Sequence, residues 1–200
     1  MIRRPIVLFL LLIVLLPIYA DEGMWLLPFI EELNMEKMEE MGCELSADDI
    51  YKPWDYSLKN VIGSLDYGSC TAGIISGEGL ILTNHHCGED DIQSHSTPEQ
   101  DYLSDGFWAM TKEEELPNPG KTISFIILME EVTERVMALV HDEMTAQERE
   151  AEIEEISELI IEEAIEETHY EAVVLPFYEG LRYFLVVMET FRDVRLVGAP

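Results

Sequence analysis

Two adjacent imidazoles and a nearby pair of thiols are the residues in this chain best placed to do chemistry. His85 and His86 close the string Leu80-Ile81-Leu82-Thr83-Asn84-His85-His86-Cys87-Gly88, and Cys70 lies 17 positions before Cys87. A histidine serves as a general base when it is held in one tautomer within hydrogen-bond reach of a nucleophile. The other readings of the pair are a surface doublet or a metal site. Side by side on a strand, His85 and His86 would point to opposite faces, which makes them poor joint ligands for one ion. A site built from His85, His86 and Cys87 alone would need three consecutive residues to converge on one metal, so no metal is assigned.

The elements around these residues must hold them. The β-prone run 71–76 is followed by Gly77-Glu78-Gly79 and then by 80–83, the pattern of a hairpin turned by glycines. Cys70 opens the first strand and Cys87 follows the second, so an antiparallel pair brings them together. A disulfide is then feasible if the Cα atoms lie about 4.4–6.8 Å apart. It would staple His86 to the rim of a sheet.

These residues carry a resemblance. Thr83-Asn84-His85-His86-Cys87-Gly88 followed by Ile92-Gln93-Ser94-His95-Ser96 is similar to the catalytic-histidine region of the S46 serine peptidases. Further matching strings are Asp21-Glu22-Gly23-Met24-Trp25, Ser57-Leu58-Lys59, Asp101-Tyr102-Leu103-Ser104-Asp105-Gly106-Phe107-Trp108-Ala109, Glu113-Glu114-Glu115-Leu116-Pro117-Asn118-Pro119-Gly120, and Asp193-Val194-Arg195-Leu196-Val197-Gly198-Ala199-Pro200. Together they span 21–200. The resemblance implies a mainly β fold with added helices, a partial chymotrypsin-like double β-barrel whose first barrel is incomplete. It also implies a secreted dipeptidyl-peptidase that removes dipeptides from the free amino end of peptides through an acyl-enzyme, without a cofactor. His86, directly before Cys87, is then the base, and His85 its neighbour. Family members are several times longer, so 21–200 reads as the amino-terminal part of a truncated peptidase domain. The triad aspartate, the nucleophilic serine and the oxyanion donors fall beyond Pro200, and the chain by itself is expected to be inactive. The full-length enzyme is a candidate homodimer. Two strings depart from the family: Asp66-Tyr67-Gly68-Ser69 is less glycine-rich, and Gly88-Glu89-Asp90-Asp91 is more acidic.

Composition bounds the alternatives. The formal charge is −29 over 200 residues, with only 12 Lys and Arg. Nucleic-acid binding, which depends on cations at phosphates, is therefore not expected. Residues 1–20 read as a secretory signal: Arg3 and Arg4 precede the apolar run 6–16, and Ala20 supplies a small residue before the cut. That run is short of the ~20 residues needed to span a bilayer, so no stable membrane association is expected after cleavage. Loss of Arg3 and Arg4 would leave −31 (−29 minus 2). Export to the periplasm or beyond would allow a Cys70–Cys87 bridge and leave Cys43 over.

In chain order, Pro28 suits a first helical turn, and Ile30, Leu33, Met38 and Met41 keep helical spacing up to Gly42 as a core-facing stripe. Ser46 caps a short helix, and Trp54 and Tyr56 are expected to pack beneath the barrel. His95 reads as solvated or capping. Residues 101–110 read as turn-like with Phe107 and Trp108 as anchors, Pro117-Asn118-Pro119-Gly120 as a turn, and 122–127 as a strand. Residues 133–168 are helical with a break near Met144, where Thr145 and Glu148 form a capping box. In that helix Ile153, Ile156, Leu159, Ile160 and Ala164 form one stripe within an acidic, solvated surround. Residues 181–188 and 194–197 read as strands added to the first barrel. The competing function is a secreted acidic binding module without catalysis.

Overall fold

The computed structural model describes residues 25–200, so the leader read over 1–20 lies outside the described residues. Ten strands are present among them: β1 (Ile62–Leu65), β2 (Cys70–Ile74), β3 (Ile81–Leu82), β4 (Phe107–Trp108), β5 (Leu116–Pro117), β6 (Ile123–Glu131), β7 (Glu171–Phe177), β8 (Arg182–Phe191), β9 (Arg195–Leu196) and β10 (Gly198–Ala199). Six of them form one antiparallel sheet in the order β3-β2-β1-β6-β8-β7. The helices are α1 (Ile30–Leu33), α2 (Met35–Glu40), α3 (Ala47–Ile50), α4 (His85–His95), α5 (Tyr102–Asp105), α6 (Thr133–Val136) and α7 (Ala146–Ile165). The chain is thus mainly β with helices added.

Strand β8 lies inside the sheet, between β6 and the edge strand β7, and is buried on both faces. Tyr183, Leu185 and Val187 turn to one side, where Leu128, Val136 and Ile160 complete a core under α7. Phe184 and Val186 turn to the other, against Leu26, Tyr51 and Met129. Burial on both faces replaces alternation with a continuous apolar run, the reason 181–188 is legible as a strand. Its neighbour β7 is not legible, because Pro176 lies inside it. Proline is tolerated there because β7 is an edge strand, where a missing N–H breaks no ladder. A bulge near Ile127 shifts the β6–β8 register between Ile126 and Leu128.

The hairpin expected over 71–83 is present: Gly73 pairs with Leu82 and Ile74 with Ile81. A second hairpin precedes it. Leu65 pairs with Cys70 across a four-residue loop in which Asp66 and Tyr67 hold φ of 45° and 56°, a region that L residues seldom occupy. Strand β1 then joins β6 at Gly63–Leu65. A Cβ at Gly63 would fall 2.5 Å from the Ile123 side chain, so a larger residue here would have to push that side chain aside.

Four expectations are corrected. Trp54 and Tyr56 do not pack beneath the sheet; both are exposed. Tyr51 takes that place, its hydroxyl donating to the Met129 carbonyl at 2.6 Å and accepting from the Met129 N–H at 2.8 Å. The stripe after Pro28 changes phase, because the helix breaks at Asn34 (φ −128°) and restarts. Ile30 and Met35 are buried while Leu33 and Met41 face solvent. Trp108 is largely exposed, but its indole lies over Gly198, where a Cβ would meet it at 2.6 Å. Residues 194–197 do not extend the main sheet. Arg195–Leu196 pairs with β5, and Gly198–Ala199 with β4.

Helix α7 begins at the predicted capping box: the Thr145 hydroxyl accepts from the Glu148 N–H, and the Glu148 carboxylate from the Thr145 N–H. Ile160 is buried, whereas Leu159, read as part of the same stripe, is exposed. No helix among the described residues is long and apolar enough to cross a membrane.

Candidate active site

His85 and His86 lie in the first turn of α4, not on a strand, which corrects the expectation that they face opposite sides of a sheet. Strand β3 ends after two residues, and the Thr83 hydroxyl donates to the Thr71 carbonyl at 2.8 Å. Asn84 is extended (ψ 151°) at the N-cap, and the chain then turns helical. Successive helical residues are about 100° apart, so the two imidazoles leave the axis in different directions.

The disulfide forms. Cys70 and Cys87 are bridged with their Cα atoms 6.1 Å apart, inside the range that the hairpin argument required. A ring nitrogen of His86 lies within 4.8 Å of both sulfurs. His85 is not in that group, so the structure distinguishes the two histidines by placing His86 against the bridge. These are also the residues whose donor atoms could converge on a metal, with Cys70 where the sequence reading had His85. Joined to each other, the sulfurs are not thiolates and cannot act as such ligands. His86 is exposed to solvent, as a base that must meet a separate nucleophile has to be.

A shallow groove of about 270 Å³ lies on the β2–β3 hairpin, lined by Ile62, Thr71, Ala72, Gly73, Leu82, Thr83 and Asn84. His86 follows the lining residue Asn84 by two positions in the chain and is not itself part of the lining. Ile62 and Leu82 are exposed within it, and the sheet edge at β3 carries no further strand among the described residues.

Helix α4 is held mainly by polar tethers, because Ile92 is its only buried residue. At its start the disulfide ties Cys87 to β2. Along its first turns, Lys121 Nζ contacts Asp91 Oδ2 at 2.6 Å, Asp66 Oδ2 at 3.1 Å and the Cys87 carbonyl at 3.3 Å. At its end the half-buried His95 meets Asn118 Oδ1 through Nε2 at 2.9 Å, a side-chain partner in the Pro-Asn-Pro-Gly turn. Asp66 is itself fixed, its Oδ1 accepting from the Thr122 N–H at 2.9 Å. Burial opposes the Lys121 charge, but hydrogen bonds to Asp91 and Asp66 outweigh it and hold its pKa above the usual lysine value. The acidic string after Cys87 therefore turns one carboxylate, Asp91, toward Lys121.

Residues that might have been pressed into a triad have other partners. The Ser94 hydroxyl donates to the Asp91 carbonyl at 2.8 Å. Asp101 caps α5, accepting from the Leu103 and Ser104 N–H groups and the Ser104 hydroxyl. That last bond holds its carboxyl below the usual range. The sequence reading missed Lys121, Asp66 and Asn118. The one signal for Lys121 was its place directly after the Pro-Asn-Pro-Gly turn as a rare cation in an acidic chain. Lys59 was also missed: it is buried and donates to the Asp55 carbonyl at 2.6 Å and to Asn60 at 2.9 Å. Burial pushes its pKa down.

Removing the bridge gives a defined loss. Closing a loop between residues 17 apart stabilises by about 3 kcal/mol in the chain-entropy account. Urea unfolding of the oxidised protein and of the Cys70→Ser, Cys87→Ser double variant is expected to differ by that amount. A difference under about 1 kcal/mol would show that the polar tethers alone hold the hairpin to α4.

Comparison with known proteins bears on the same region. The Peptidase S46 family profile matches residues 20–200. Dipeptidyl-peptidase 7 of Capnocytophaga gingivalis is 43% identical over 183 residues, covering 92% of this chain and 26% of that protein. An Asp/Glu-specific dipeptidyl-peptidase of Flavobacterium psychrophilum is 42% identical over 193 residues, covering 96% of this chain and 27% of that protein. Among solved structures, Porphyromonas endodontalis DPP11 in complex with the dipeptide Arg-Asp aligns with a TM-score of 0.80 at 37% identity. That alignment covers 90% of this chain and 26% of that one. The chain thus spans about a quarter of the length of the relatives it matches.

Proposed function

The chain belongs to the S46 peptidase family, and on that premise we propose that it forms the amino-terminal portion of a serine dipeptidyl-peptidase in which His86 is the general base. The observation that carries this reading is an exposed imidazole held against the Cys70–Cys87 bridge. Such a base takes the proton of a serine hydroxyl as the oxygen attacks the peptide carbonyl, then returns it to the leaving amine. The serine, the acid that orients His86 and the oxyanion donors come from the remaining length that the relatives have. The exposed apolar face at Ile62 and Leu82 is where that remainder packs, and the open sheet is the start of the first barrel of a chymotrypsin-like pair. Residues 1–20 direct the protein out of the cytoplasm.

The substrates are peptides with a free amino end, cut after the second residue. A relative of the Asp/Glu-specific kind and one named dipeptidyl-peptidase 7 are similar to this chain at 42% and 43%, so the reading stops at the dipeptidyl reaction and selects neither preference. The test compares chromogenic dipeptides bearing a free or an acetylated amino terminus. The full-length enzyme is expected to hydrolyse the free form and to spare the acetylated one, while residues 21–200 alone hydrolyse neither. Hydrolysis of neither by the full-length protein would favour the acidic binding module instead.

A further inference from the structure

We infer that Lys121 is the positioning residue for His86: its ammonium locks the first turns of α4 onto the start of β6 and so sets where the imidazole stands. The catalytic part of this inference rests on the reading of His86 as the base; the geometric part does not.

Helix α4 has little buried surface to seat it. It has 11 residues and buries only Ile92. Isolated helices of this length are marginal in water, and one buried side chain, with Cys87 partly buried against the Leu65 and Ile123 cluster, does little to fix the rotation and tilt of the axis. The disulfide constrains Cys87 but leaves the helix free to swing about that one point. A second contact close to His86 is needed, and Lys121 supplies it. An ammonium has three donors, and here all three find acceptors: Asp91 Oδ2 one turn along the helix, the Cys87 carbonyl one residue after His86, and Asp66 Oδ2 in the β1–β2 loop.

The other side of the clamp is rigid. Asp66 is tied to the strand that follows Lys121 by two bonds, its N–H donating to the Thr122 carbonyl at 3.0 Å and its Oδ1 accepting from the Thr122 N–H. Asp66 precedes Cys70 by four residues, so the loop that delivers one sulfur and the helix that delivers the other meet on the same ammonium. The Lys121 side chain is only 13% exposed, which strengthens the charge interactions relative to a solvated pair. Removal of the cation alone would leave two carboxylates facing each other at the helix. His95 and Asn118 pin the far end of α4 to the same turn, but two to three turns from His86.

The test reads the position of His86 directly. In 15N-labelled protein, the ring signals of His86 are assigned by their loss in His86→Gln, and their cross-peaks to Cys70 and Cys87 protons are recorded. Lys121→Met is expected to shift the His86 ring signals and weaken those cross-peaks, while Leu185 and Val187 methyl signals across the sheet stay in place. Asp91→Asn, which leaves the Asp66 and Cys87 contacts, is expected to change the same signals less. In the full-length enzyme Lys121→Met is expected to lower kcat about 10- to 100-fold, the scale of an ångström-sized misplacement, with KM within about twofold. Unchanged His86 signals in folded Lys121→Met overturn the inference, as they do in Asp91→Asn should the lysine variant not fold. A fall expressed through KM overturns its catalytic part. If the His86 signals respond to Lys121→Met but His86→Ala leaves peptidase activity intact, the clamp stands and the assignment of the base fails.

Discussion

Replacing His86 with alanine in the full-length enzyme is expected to lower kcat/KM by about 10⁴- to 10⁶-fold, while His85→Ala changes it by less than about tenfold. The first figure is the usual consequence of removing the base from a serine triad, and it corresponds to about 5–8 kcal/mol of transition-state stabilisation. The contrast between neighbours follows from the helix. Both imidazoles are exposed in the first turn of α4, so neither substitution opens a cavity and both variants should fold. Only His86 lies within 4.8 Å of the bridge sulfurs, and about 100° of helical rotation separates it from its neighbour. Steady-state kinetics on a free-amino dipeptidyl substrate, with circular dichroism to check folding, measures this. Equal losses for the two variants, or the larger loss for His85→Ala, would reassign the base.

Phe184→Ala is expected to destabilise the protein by about 3–5 kcal/mol, a large share of the ~5–15 kcal/mol that domains possess. Phe184 is fully buried on the face of β8 opposite α7. Its ring meets Phe177 edge-on at 5.0 Å and Phe29 at 5.9 Å, joining the amino-terminal segment to the edge strand. Truncation leaves a void between elements distant in sequence, which cannot collapse without breaking strand pairing on both sides of β8. Leu181→Ala, at an exposed position just before the same strand, should stay within about 0.5 kcal/mol. Urea unfolding with an unchanged m-value would confirm the difference. A loss below about 1.5 kcal/mol would mean that this side of the sheet repacks.

Much of this fold follows from local rules. The glycine-turned hairpin over 71–83, the caps at Ser46 and Thr145, the turn at Pro117-Asn118-Pro119-Gly120 and the runs of β6 and β8 each depend on neighbours a few residues away. The failures share a cause. Trp54, Tyr56, Leu33, Met41 and Leu159 have large apolar or aromatic side chains that suit an interior, yet they face solvent, because burial depends on which elements meet and not on side-chain type. Strand β7 was hidden by Pro176, whose tolerance depends on being at an edge. The apolar run before His85 and His86 continues to Thr83 and so suggests a strand through them; the helix starts where strand pairing with β2 stops.

Residue type and spacing alone determined the chemistry available to this chain: a pair of histidines next to a cysteine, and a second cysteine one hairpin away that could reach it. Periodicity and turn residues are local quantities, and a hairpin converts a 17-residue separation into a short distance whatever surrounds it. Which histidine stands by the bridge, which aspartate faces the helix and which lysine answers it were decided only in three dimensions. Lys121 is 34 residues from Cys87 and 55 from Asp66, and a contact of that span exists only once β1 has paired with β6.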